Sequence, residues 1–154
     1  MKRALAVALI TAAAIAATAS ATSSSGVVVK TAFNASLKKT ILVAGNGMTL
    51  YMFTADTSGT SLCTNDPQYH CSKAWPALLT TGAPHAGAGA KASLLGTVKR
   101  SDGGVQVTYR RHPLYFFRGG QGLGKGDTKP GQIRGQAAVD LWWVLSPAGN
   151  PIKG

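Results

Sequence analysis

Two short stretches of this 154-residue chain rhyme, and that repetition limits its fold more than any other feature. Leu50-Tyr51-Met52-Phe53 in the first half returns as Leu114-Tyr115-Phe116-Phe117 in the second. Each is followed by a tryptophan landmark, Trp75-Pro76-Ala77-Leu78 and then Trp142-Trp143-Val144-Leu145. The tyrosines lie 64 positions apart (115 − 51) and the first tryptophans 67 (142 − 75). Two landmarks at nearly one offset mark a duplicated unit, with repeats over residues 41–79 and 105–152 whose halves pack together.

The local pattern is that of strands and turns. Residues 27–31 read as a first strand, and residues 41–43 and 48–53 as a hairpin closed by Asn46-Gly47, which supplies the positive φ angles of a tight turn. A second hairpin pairs 95–99 with 105–109 around Ser101-Asp102-Gly103-Gly104, the return strand showing period-two alternation. Arg110-Arg111-His112-Pro113 makes a further turn before a strand over 114–117, and 141–145 is the last strand. In that strand Trp142 and Trp143 point to opposite faces, one inward and one outward. The small-residue stretch 82–92 reads as a featureless surface loop, 119–135 as a long Gly-rich connection, and 72–75 as a short helical turn. The expected fold is all-β: antiparallel sheets from two related repeats, sandwich-like, in a single domain over 27–154.

The first residues carry an export signal. Met1-Lys2-Arg3 precedes an apolar run too short to span a bilayer, and small residues follow at Ala17, Ala19 and Ala21. Cleavage after Ala21, with Ala19 as the competing site, leaves 22–26 as a flexible lead-in and no transmembrane segment. No cysteine stands at the cleavage region, so the exported chain, periplasmic or extracellular, is expected to lack a lipid anchor. Sixteen Lys and Arg face five acids, all Asp, for a net charge of +11; losing Lys2 and Arg3 makes it +9 (11 − 2). Outside the cytosol the anionic partners at hand are cell-envelope polymers or glycans rather than nucleic acid. The Lys and Arg are spread along the chain, however, with only Lys38-Lys39, Lys99-Arg100 and Arg110-Arg111 as pairs, and read first as solvated surface.

Tyr51-Met52-Phe53-Thr54-Ala55-Asp56 fits the pattern Tyr-x-(Phe/Trp/Tyr)-x-x-Asp. Around it come a Cys pair, Trp-Pro, a Gly-rich hairpin, a second Leu-Tyr, Gly126-Asp127 and a final Trp before Ser146-Pro147. In that order the chain resembles the bacterial secreted repeat proteins and lipoproteins known by this motif, over nearly all of its mature length. The resemblance implies no activity, since that family has none established. It is departed from where the second copy reads Tyr115-Phe116-Phe117-Arg118-Gly119-Gly120, with Gly where Asp would stand, and where the lipobox cysteine is absent.

Cys63 and Cys71, the two cysteines of an exported chain, are expected to form a disulfide closing the loop between them. His70, His85, His112, Met48 and Met52 are the residues that could ligate a metal, but no His-x-His or His-x-x-x-His spacing brings two together. The alternative of a metal- or redox-associated periplasmic protein rests on them; no cofactor is otherwise called for. Asp56 reads first as an acceptor ordering the loop after its strand, and a hydrolase would need Asp56 and Asp127 in one pocket. Gly119, Gly124 and Lys125 have the spacing of a phosphate loop, yet Gly126 stands where a hydroxyl must hold magnesium. What remains is a loop around Lys125 able to cradle an anion. The leading reading is a non-enzymatic binding module with Tyr51, Asp56, Tyr115, Asp127, Lys125, Arg110 and Arg111 as candidate contacts.

Overall fold

A computed structural model of the chain describes residues 26–65 and 71–154. The expected signal segment, most of the lead-in, Asp66 and His70 lie outside the described residues. In chain order the elements are β1 (Val28–Asn34), β2 (Lys39–Ala44), β3 (Tyr51–Phe53), a single helical turn α1 (Cys71–Ala74), β4 (His85–Ala86), β5 (Leu95–Lys99), β6 (Val105–Tyr109), β7 (His112–Pro113) and β8 (Trp142–Val144). They form three small sheets ordered β2-β1-β4, β3-β8 and β5-β6-β7, so the fold is all-β. Every named strand pair is antiparallel except β1 with β4.

That parallel pair corrects the reading of 82–92 as featureless. The His85 amide bonds to the Val27 carbonyl and the Gly87 amide to the Val29 carbonyl, at 2.9 and 2.7 Å. The small residues are there because this segment presses on β1. A Cβ at Gly89 would stand 2.0 Å from Thr31 Oγ1. The β1–β2 hairpin also escaped the sequence pattern; its turn is fastened by Asn34, whose Oδ1 accepts the Leu37 amide. His112, expected in a turn, pairs with Tyr109 in β7, so the turn itself is Arg110-Arg111 alone.

The middle strands are buried on both faces. Leu42, Ala44, Leu50, Met52, Leu114, Trp143 and Leu145 enter one apolar cluster. Their neighbours Ile41, Val43, Tyr51, Tyr115, Trp142 and Val144 enter a second on the opposite side. Alternation along each strand therefore serves two cores instead of one core and solvent. This overturns the expectation that one of Trp142 and Trp143 faces out: both are buried, at 3% and 7% exposure.

The duplication is visible in the hydrogen bonds. Tyr51 and Tyr115 exchange amide and carbonyl bonds, both at 2.9 Å, on a pseudo-two-fold axis. About it, β3 of the first repeat pairs with β8 of the second. In return, Tyr115 of the second repeat bridges Ala77 of the first. Further bonds come in matched pairs: Leu42 N to Leu145 O with Val107 N to Leu78 O, and Thr54 N to Leu141 O with Arg118 N to Ala74 O. Each repeat is completed by a strand from the other.

Candidate functional site

The seam between the repeats is where the motif residues converge. The Tyr51 hydroxyl donates to Asp127 Oδ2 at 2.6 Å, and the Tyr115 hydroxyl to Asp56 Oδ2 at 2.7 Å. The tyrosine of each repeat thus holds the aspartate of the other. The second carboxylate oxygens take backbone amides, Asp56 from Leu62 at 2.8 Å and Asp127 from Arg134 at 2.9 Å. Each hydroxyl has one further partner: the Gly135 amide bonds to that of Tyr51, and Ser61 Oγ lies 2.7 Å from that of Tyr115.

Asp127 is the aspartate that the second copy of the motif lacks at the expected position. The Asp56 amide bonds to the Phe53 carbonyl and the Asp127 amide to the Phe117 carbonyl, each two residues after its tyrosine. Between Phe117 and Asp127 an extra loop leaves the chain and returns, closed by the Gly119–Lys125 bridge. The glycines permit the closure: a Cβ at Gly126 would lie 2.1 Å from the Arg118 backbone carbon, and one at Gly119 2.3 Å from the Gly124 carbonyl oxygen. Lys125 is exposed at the base of this loop.

Four rings stack through the seam in the order Phe53, Trp142, Trp75, Phe117. Trp142 and Trp75 lie parallel with centroids 3.7 Å apart, and the outer pairs are at 4.4 and 4.3 Å. Tyr51 meets Trp75 edge-on at 5.5 Å and Tyr115 meets Trp142 edge-on at 5.2 Å. Both tyrosines are wholly buried, so a ligand reaches neither hydroxyl. Their place as candidate contacts gives way to a structural one. Asp56 is the loop-ordering acceptor its position suggested, and Asp56 and Asp127 are each tied to a different tyrosine.

Burial pushes the Asp56 carboxyl up to about 6, against the pull of the Leu62 amide, the Tyr115 hydroxyl and the Arg100 charge. Burial and then the bond to Asp127 drive the Tyr51 hydroxyl far above its ordinary range, and burial does the same for Tyr115 beside Asp56.

The polar chain continues to a residue sequence reading missed as an internal group. Arg100 is buried, with Nη1 donating to Ser61 Oγ and Gln106 Oε1, both at 2.7 Å, and Nη2 to the Cys63 carbonyl at 2.8 Å. Nε and Nη2 fork onto the Asp102 carboxylate at 2.8 and 2.7 Å, the one salt bridge among the described residues. Asp102 also accepts the Asn65 amide, so this cluster anchors the chain just after Cys63, which is disulfide-bonded to Cys71. All five guanidinium protons are engaged, leaving none for a ligand. The spacing Arg-x-Asp across a hairpin turn was the available signal.

The other candidates are dispersed. His85 lies on β4 and His112 on β7, in different sheets; Met52 is in the first core cluster. Burial, then the Arg110 charge, holds the His112 pKa below its ordinary value. No group of three His, Cys, Asp or Glu able to hold a metal occurs among the described residues. Arg110 and Arg111 form the two-residue turn joining β6 to β7, both exposed and both at positive φ, 48° and 67°. Positive φ at both central positions is the type I′ pattern, which favours Asn-Gly.

A family model described as a secreted repeat of unknown function matches residues 36–78 and 96–146, together more than half of the chain. The two matched segments are the two repeats that interlock at the seam. Neither the curated proteins nor the solved structures include one that matches this chain.

Proposed function

The chain belongs to this family of secreted repeats, and from that premise we propose that it is a non-enzymatic, envelope-associated module that binds anionic cell-envelope polymers or glycans. In this reading it works in the periplasm or outside the cell, without a lipid anchor. Among the described residues there are fourteen cationic side chains, the sixteen of the chain less Lys2 and Arg3, and Arg100 alone is in a salt bridge. Asp56, Asp102 and Asp127 are spent on Tyr115, Arg100 and Tyr51, so they do little to offset that surface charge.

The observation that carries the reading is the Arg110-Arg111 turn. A left-handed backbone costs a non-glycine L-residue roughly 1–2 kcal/mol, and two adjacent arginines bear it here where Asn-Gly would relieve it. Strain kept in an exposed turn is the mark of side chains held for a purpose. Arg110 bonds to Asn150, which orients it, and Arg111 has no hydrogen-bond partner among the described residues. The pair makes a doubly charged tip, Arg110 oriented and Arg111 free to adapt, suited to phosphate or carboxylate groups along a polymer. Sugar rings would be held through their acidic groups, since both tryptophans of the last strand are buried.

The test is binding of the mature chain to a phosphate-bearing wall polymer and to an uncharged polysaccharide across a salt series. Binding to the charged polymer alone, falling roughly tenfold or more between about 50 and 500 mM salt and lost in Arg110→Glu/Arg111→Glu, is expected. Salt-insensitive binding, or none, rejects the proposal.

A further inference from the structure

Beside the aromatic stack lies an open cleft of about 380 Å³. It straddles the seam: the first repeat supplies Phe53, Leu62 and Trp75, and the second Leu123, Val139 and Trp142. We infer that this cleft is a binding site for a single hydrocarbon chain, separate from the arginine turn and independent of the reading given for it.

Two observations point to an occupant. First, apolar side chains around the cleft are left in water: Leu62 is 51% exposed, Val139 64% and Leu141 39%. Second, Val139 is held at φ 46°, ψ 24°, in the left-handed region, with Ala137 at φ 60° and Asp140 at φ 62° beside it. A β-branched residue is an outlier there, where Gly or Asn would sit without strain. The backbone is strained, and what the strain achieves is to set an isopropyl group at the mouth of an apolar cleft.

The lining says what the occupant is. Among the described residues no charged side chain lines the cleft, and Thr64 and Gln121 supply its polar side chains, a wall that suits a neutral ligand body. A cleft of this volume with a mainly apolar wall is of small-ligand size. Stacking of a flat ring on the tryptophans is blocked. Both faces of Trp142 are covered by Phe53 and Trp75, and both faces of Trp75 by Trp142 and Phe117. The tryptophans offer ring edges, between the aliphatic groups of Leu62, Leu123, Val139 and Leu141. Among the described residues that surface fits methylene groups, and it offers a sugar no open ring face and only the side chains of Thr64 and Gln121 as polar partners. Because both repeats build the wall, the site exists only in the paired form, which gives the duplication a use beyond stability.

The chain could belong to a free lipid or to one seated in a membrane, and two probes separate these. The full mature protein is titrated with a medium-chain primary alcohol below its solubility limit, followed by tryptophan emission, at low and high salt. In parallel it is sedimented with zwitterionic phosphatidylcholine vesicles. Both probes carry no net charge, so the basic surface does not contribute and failure here is distinct from failure of the polymer reading. Saturable, salt-insensitive binding of the alcohol supports a free chain; sedimentation with vesicles alone supports a membrane-borne one. In either case Val139→Gly and Leu62→Asn weaken binding about fivefold or more, the loss expected for removing an apolar side chain from the contact. Glycine adopts the backbone at 139 freely, so Val139→Gly does not lower the urea midpoint and the loss is not one of folding. Binding to neither probe, or binding that both variants retain, overturns the inference.

Discussion

At the scale of single residues, the motif is a reciprocal lock. Tyr51→Phe leaves Asp127 without its hydroxyl donor and Tyr115→Phe does the same to Asp56, both inside the seam. Each is expected to cost about 1.5–3 kcal/mol in urea unfolding, the range for hydrogen bonds to charged groups. A surface tyrosine would lose almost nothing. Asp56 also gives the protein a pH signature. Its folded pKa of about 6 stands above the ordinary 3.8, so its contribution is full below 3.8 and is lost as pH rises through about 6. Two other groups act in the opposite sense. Asp102, held low by Arg100, loses its contribution only as pH falls below the ordinary carboxylate range. His112, held low by burial and Arg110, adds stability as pH rises towards 6.5. The share of Asp56 is therefore read as a difference: between about pH 4 and 6.5 the wild type loses stability relative to Asp56→Asn, whose amide imitates the uncharged acid. A constant difference across that window would show that Asp56 is not held protonated.

Among the elements, the loop over residues 120–126 decides where the second aspartate stands. In the first repeat the aspartate follows its tyrosine by five positions (56 − 51), in the second by twelve (127 − 115). The difference of seven equals the loop. Deleting Gly120 through Gly126 restores the spacing of the first repeat, and the shortened chain is expected to fold with the Tyr51–Asp127 bond intact. Equal effects of Tyr51→Phe on the shortened and full-length chains would report that. By contrast Gly126→Ala drives a Cβ against the Arg118 backbone and is expected to destabilise by more than the shortening does. The sequence carried the duplication, the disulfide and the strand that precedes Asp56, because these leave marks at fixed spacing or in paired residue types. It concealed Asp127 as the partner of the motif, since an insertion hides a rhyme that only hydrogen bonding restores. It hid Arg100 too: a buried arginine and a solvated one look alike until the hairpin turns it onto Ser61, Gln106 and Asp102. The second core was equally silent, because a strand buried on both faces and one buried on a single face differ only in the company each side keeps.

For the molecule as a whole, the two repeats are parts of one cooperative structure. Each lacks a strand, an aspartate partner and a tryptophan neighbour that the other supplies. No helix among the described residues is long and apolar enough to cross a membrane. Reducing Cys63–Cys71 should remove about 2–3 kcal/mol of stability, since the loop it closes is short. That loss is expected to appear in the whole transition rather than in the first repeat alone. The interlock is tested most directly by equilibrium urea unfolding of the mature chain, followed at once by tryptophan emission and by far-ultraviolet circular dichroism. Trp75 and Trp142 report the seam, while the dichroism reports the strands of both repeats. Interlocked repeats give a single transition with one midpoint by both probes. A tryptophan change that precedes the loss of strand signal, or two separate dichroism steps, would mean that the repeats stand on their own and would contradict the interlock.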